Sequence, residues 1–367
     1  MKDHPDQKLT FDQQNQVNTY VKATVDQQMA VANDPSKTPA EQLAAAQSAD
    51  KTLTDASQAA ADSGNNDLAE SFAQKYGDAK VGEKLTELKI KTGDPGATEK
   101  AIGDAGNDPA KLRAVANALP DSDPRKEALG LIADGKVTGD SARKLLDAMN
   151  DQDHTFGELA DAIGKSDGNP DVLKAVADVA QYKAKQNADQ GNGDTAATMQ
   201  NLADTMTAIS KASDGVRKEL SKGFDDSGNF GDFQRAFDSA GSKADVDALK
   251  AFVGYTSAQE KAGDRNPSFS HGEADKLQTI SDNFDALHAN PETWKKVQWA
   301  VRDNNDTSRD LRDAAKNTND PKALEALQTL AKQSGDNDLA VRLEVVRTQY
   351  KDLSADAKEK FLKDGHF

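Results

Sequence analysis

The sequence predicts an all-α protein, a multi-helix array of helical hairpins carrying degenerate EF-hand-like helix-loop-helix modules. Three observations predict it. Eight of the eleven prolines directly follow Asn or Asp, at Asp34, Asp94, Asp108, Asp123, Asn169, Asn266, Asn290 and Asp320. An Asx side-chain oxygen accepts a bond from a free first-turn N–H, and proline in the next place loses no bond and brings a helical φ. Capping boxes recur as Thr10…Gln13, Thr155…Glu158, Ser270…Glu273 and, less perfectly, Thr138…Ser141. In such a box two first-turn donors are satisfied reciprocally. No run of β-branched residues alternates with polar ones between turn signals.

The first predicted helix covers residues 9–31, where Val17, Val21, Val25 and Met29 recur every four residues and so share one face. Residues 33–38 then separate this N-terminal helix, assigned to 1–34, from hairpins over 35–107. Repeats define the rest. Ser63-Gly-Asn-Asn-Asp-Leu-Ala69 returns as Ser334-Gly-Asp-Asn-Asp-Leu-Ala340, each copy lying between two alanine- and leucine-rich stretches. The helix starts at Asp108-Pro109, Asn169-Pro170 and Asp320-Pro321 read alike over eight residues or so. The implied unit is a capped helix, a Gly/Asn/Asp turn and a second helix, in a loose bundle rather than a regular solenoid. A second duplication pairs residues 137–146 with 269–278 and 169–176 with 290–297. It suggests two related modules, assigned to 108–185 and 223–302, with a linker and helix at 186–222 and a C-terminal hairpin at 303–367. The Gly/Asn/Asp-rich residues 186–195 and the surroundings of 213–215 read as linkers.

Composition restricts function more than it identifies it. Only 36% of the 367 residues are hydrophobic and 5% aromatic, which predicts many thin helix contacts rather than one deep core. A net charge of -16 argues against nucleic acid and anionic membranes as partners, since both demand clustered Lys and Arg. No run approaches the roughly 18 apolar residues of a membrane span, and residues 1–10 are polar throughout without a secretory signal. The absence of cysteine removes disulfides, thiolate metal sites and cysteine nucleophiles.

The local chemistry centres on calcium-type loops. Residues 223–234 place Asp225, Ser227, Gly228 and Phe230 at EF-hand positions 3, 5, 6 and 8, but Gly223 and Gln234 stand where the first and last ligands belong. Residues 262–273 place Asp264, Asn266, Phe269 and Glu273 at positions 3, 5, 8 and 12, with Ala262 at the first and Pro267 at the glycine position. A third stretch, 130–141, keeps Asp134, Gly135 and Val137. These loops read as scaffolding, with calcium the one cofactor to consider and Asp225, Ser227, Asp264, Asn266 and Glu273 its candidate ligands. The five histidines show no zinc-ligand spacing, and there is no nucleophile elbow, P-loop or dinucleotide fingerprint. Trp294 shares a helical face with Val297 and Val301 and is expected in the core. Trp299 points away from that face and is the candidate partner-binding residue.

Lys243-Ala-Asp-Val-Asp-Ala-Leu-Lys250, the loop ending in Phe269-Ser270…Glu273, and Ile280-Ser-Asp-Asn-Phe-Asp-Ala-Leu287 resemble EF-hand-like helical modules of bacterial type III secretion translocators and effectors. The likeness spans residues 242–301 and departs from the pattern at Ala262 and Pro267. It implies a secreted, cysteine-free bacterial protein that works by protein–protein interaction, and it transfers no functional residue. The expected function is therefore a secreted effector or secretion-accessory protein, translocated into a host cell, not an enzyme. The alternatives are a structural or assembly protein such as a virion or scaffold component, an enzyme with a dispersed carboxylate site, and a cytoplasmic location.

Overall fold

The computed structural model describes residues 8–150, 154–225, 230–261, 271–302, 306–349 and 353–366. Among them there are 21 helices and no strand, so the protein is all-α. The chain falls into two compact units, Met1–Ala133 and Asp134–Phe367.

The first unit holds α1 (Phe11–Ala32), α2 (Pro39–Asp62), α3 (Asn66–Asp78), α4 (Val81–Lys91), α5 (Pro95–Ala105), α6 (Pro109–Ala118) and α7 (Arg125–Ala133). Thr10 and Gln13 form the expected capping box on α1, and Val21, Val25 and Met29 are buried with Val17 partly so. They pack on Ala46, Ala49 and Leu53 of α2 and Phe72 of α3. Alanine at the contact lets the helices approach closely, which is how an alanine-rich chain builds a core from small side chains.

The second unit holds α8 (Gly139–Asn150), α9 (Thr155–Gly164), α10 (Pro170–Asp189), α11 (Gly193–Ser210), α12 (Asp214–Asp225), α13 (Phe230–Asp238) and α14 (Lys243–Lys261). It continues with α15 (His271–Asp282), α16 (Phe284–His288), α17 (Pro291–Arg302), α18 (Thr307–Lys316), α19 (Pro321–Gln333), α20 (Asn337–Gln349) and α21 (Ala355–Asp364).

The repeated heptapeptide is a hairpin turn in both places. Gly64 at φ 71° and Gly335 at φ 82° follow the C-caps of α2 and α19. The Asn65 N–H donates back to the Ala60 carbonyl at 2.8 Å, and the Asp336 N–H to that of Ala331 at 2.9 Å. This is the Schellman arrangement, which needs a left-handed residue and hence favours glycine. Gly93 and Gly191 repeat it between α4 and α5 and between α10 and α11. Residues 186–195, whose composition suggests a linker, are thus the end of α10, its turn and the start of α11. The third helix on each repeated hairpin is tied at an equivalent place. Ser71 donates to Asn18 of α1, and Arg342 donates to the Leu362 carbonyl at the end of α21.

The Asx-Pro pairs start α5, α6, α10, α17 and α19 with proline as first residue, and Asp123 receives the Arg125 N–H at the start of α7. Asn266 lies outside the described residues. Asp34-Pro35 starts no helix: Asp34 accepts the Ser36 N–H at 2.9 Å in a turn, and the helix waits for Thr38, which forms a capping box with Glu41. That box, with Pro39 inside it, outcompetes the earlier pair. The Thr155…Glu158 box does not form. Helix α9 begins on Thr155 itself, and Lys144 of α8 takes Glu158 at 2.7 Å and Asp161 at 2.9 Å. At the third site Ser141 instead donates to the Ala162 carbonyl at 3.4 Å, and Ser270 is outside the described residues.

Asp245, buried in the first turn of α14, shows how the second unit closes its connections. Its carboxylate accepts the backbone N–H of Ser213 at 2.6 Å, of Gly241 at 3.0 Å and of Ser242 at 2.9 Å. Burial works to raise its pKa, but these bonds outweigh it and hold the carboxyl below its ordinary value. A carboxyl depressed in the folded state contributes stability above its unfolded pKa and loses it as pH falls through the folded value. Asp245→Asn presents an amide to donors that need an acceptor, so it is expected to cost about 2–3 kcal/mol at pH 7. The penalty should begin to shrink as pH falls below about 4, where the unfolded chain's carboxyl protonates, and go on shrinking as the folded carboxyl, held lower, protonates in turn. Urea unfolding of both proteins across that range checks it.

Candidate functional site

Helix α4 forms one wall of a concavity in the first unit. Lys80 stands between α3 and α4 in the left-handed region, at φ 50°. A lysine there carries backbone strain of roughly 1–2 kcal/mol, which the buried Val81 next to it helps hold. This tight corner aims one face of α4 at the last turns of α1 and α6. Between them lies a cleft of about 610 Å3. Met29, Ile90, Val115, Ala101 and Ala118 make its walls apolar, while Lys80 before α4 and Glu83, Lys84, Glu87 and Lys91 of α4 supply every charge along it.

The charges are organised around Glu87. One carboxylate oxygen meets the Lys91 ammonium at 2.5 Å and the other the Lys84 ammonium at 3.1 Å. Partial burial pushes the Glu87 carboxyl up, but the two ammonium donors prevail and hold it below its usual value. Lys80 reaches Glu83 at 3.8 Å nearer the rim. The cleft thus carries three lysines against two glutamates in a chain whose net charge is -16. Its size suits a peptide side-chain cluster or a compact organic ligand, and apolar walls with a few convergent polar groups are the usual make-up of a binding site. A smaller hollow of about 290 Å3 between α2 and α3 is lined by Leu53, Phe72 and Tyr76. Burial, then the nearby Asp50, push the Tyr76 hydroxyl upward.

The candidates from the sequence lie elsewhere. Ser227, Asp264 and Asn266 fall outside the described residues, as does the side chain of Asp225. Glu273 sits buried in the first turn of α15, where its charge favours the ammonium of Lys276 against a burial that pulls that lysine's pKa down. Among the described residues no three His, Asp or Glu side chains converge as a metal site.

Trp294 is buried, and its Nε1–H donates to the Ala240 carbonyl at 3.0 Å. Gln298, one turn on, donates to the Phe237 carbonyl at 2.7 Å, so α17 satisfies open carbonyls in the last turn of α13 and just beyond it. Trp299 is half-buried on another side of α17. The Lys295 and Lys296 ammonium groups stand 5.1 and 4.5 Å from its ring centroid. Lys296 also pairs with Asp313 at 2.8 Å and Asp310 at 3.3 Å on α18.

One cluster with nucleophile chemistry escaped sequence reasoning. The buried Ser281 hydroxyl donates to Asp247 and accepts from the Lys243 ammonium at 2.8 Å. Burial raises the Asp247 carboxyl, but the Ser281 and Lys243 bonds leave it below normal, which makes it a poor base. The trio ties α14 to α15. No spacing signal exists for groups 34 and 38 residues apart, and only the fold joins them.

No protein-family model matches the chain, and neither curated proteins nor solved structures gave a match. No helix among the described residues is long and apolar enough to cross a membrane.

Proposed function

We propose that this chain is a binding protein that acts through its helical surfaces, with the α4 cleft of the first unit as the place where a segment of another protein docks. The observation that carries the reading is the cleft itself, an apolar trough beside a row of lysines provided by α4 and the residue before it. Helical hairpins supply such troughs because each helix pair covers only part of its neighbour's apolar face. The setting we infer is that of a secreted bacterial effector or secretion-accessory protein. The resemblance of residues 242–301 to secretion-system modules motivates it, and the cysteine-free composition agrees with export through an unfolding channel, as it agrees equally with a cytosolic protein.

A peptide-display selection on the whole chain tests the docking place. Ala114 and Thr86 line the cleft from exposed positions, so Ala114→Trp and Thr86→Trp fill it without disturbing a buried contact. Each is expected to weaken the selected peptides by about 10-fold or more while leaving the melting temperature nearly unchanged. Peptides that bind both variants as tightly as the wild type would place the docking surface elsewhere.

A further inference from the structure

We propose that the cleft selects an acidic guest, and that Glu87 is the chain's own stand-in for the guest's carboxylate. The inference rests on the reading of the cleft as the docking place. Lys84 and Lys91 lie seven residues apart, two turns along one face of α4, and their ammonium groups converge on one carboxylate. Each holds a different oxygen of Glu87, which is how two lysines would clamp an Asp or Glu side chain brought in from outside. The Glu87 side chain keeps about a third of its surface open to solvent, and its carboxylate hangs on α4 by two flexible methylenes. It can turn outward without unpacking the helix.

The Lys84 side chain, by contrast, is only 17% exposed and cannot follow it into water. A partly buried ammonium left without a counter-charge is costly, so departure of Glu87 has to be matched by arrival of another anion. Apolar contact with the exposed Ala114 and the partly exposed Ala79 and Ala101, over a floor formed by the buried Met29, Ile90 and Val115, supplies the rest of the recognition. The occupant this describes is a protein segment with an Asp or Glu next to a Leu-, Ile- or Phe-type side chain. Glu87 then acts as a gate on selectivity: a neutral segment gains the apolar contact but gives Glu87 no reason to leave.

Peptides selected from a displayed random library on the whole chain provide the probe. Those lost on Ala114→Trp are expected to be enriched in Asp or Glu beside an apolar residue. Replacing that acid by its amide should weaken binding about 10-fold or more, and Lys84→Met in the protein should do the same. Glu87→Gln removes the competitor and should tighten the acidic peptides by about 3- to 10-fold, with no gain for their amide versions. Cleft-dependent peptides that are neutral or rich in Lys and Arg would overturn the proposal while leaving the docking place intact. So would a Glu87→Gln protein that binds acidic peptides no better than wild type. Peptides indifferent to Ala114→Trp and Thr86→Trp would remove the docking place itself, and the carboxylate clamp with it.

Discussion

Trp294→Ala is expected to cost about 3–5 kcal/mol, the range for emptying a buried tryptophan site. The indole packs edge-on against Phe237 and Phe284, with ring centroids 6.2 and 5.2 Å away. Truncation also strands the Ala240 carbonyl, which then keeps only a longer bond from Gln298 at 3.3 Å. Trp299→Ala should cost clearly less, about 1 kcal/mol. Its ring is half-exposed and contributes mainly as a face for Lys295 and Lys296, and Lys296 retains Asp310 and Asp313 without it. Both tryptophans lie in the second unit, so each mutant keeps one fluorophore to report urea unfolding of that unit. Equal large losses would show Trp299 to be as much a part of the core as Trp294. Equal small losses would show α17 to be loosely held.

Gly168→Ala should be comparably severe, about 3 kcal/mol or more, for a reason no side-chain contact reveals. Gly168 closes the turn between α9 and α10 at φ 73°, next to Asp167 at φ 48°. The first turn of α12 lies directly against it. A Cβ there would stand 2.7 Å from the Lys218 nitrogen and 3.0 Å from the Arg217 carbonyl carbon, and neither is a flexible side-chain end that can swing away. The Gly168 carbonyl also accepts from Arg217 Nε at 2.8 Å, so displacing α12 breaks a bond as well. Gly335→Ala is the matched control. It has a similar φ of 82° but open space around it, and should cost only the left-handed strain, about 1 kcal/mol. A Gly168→Ala protein no less stable than Gly335→Ala would mean that α12 does not rest on this turn.

These two sites divide what was legible in the chain from what was not. The face bearing Trp294, Val297 and Val301 could be read from spacing, because helical periodicity is a property of consecutive residues. Gly168 was invisible. Its neighbours are 49 and 50 residues away, and a Gly before Asn-Pro looks like any other turn glycine.

The same division holds through the molecule. By itself the sequence determined the helical class, the starts of α5, α6, α7, α10, α17 and α19, and the repeated hairpin turn. Each is settled within about six residues, by an Asx oxygen facing its own first turn or a glycine supplying a positive φ. Where two local signals competed, at Asp34 and Thr38, the reciprocal box prevailed over the single cap. Only the tertiary structure decided which polar groups those helices would spend on one another. Glu158 could cap its own helix or pair with Lys144, and the packing of α9 on α8 chose the pair. Asp245 became an anchor for three backbone donors because two connections converge on it. The α4 cleft needed the ends of α1 and α6 brought against one lysine-bearing face. A side chain's partner depends on what lies across the interface, and burial makes that choice costly to refuse.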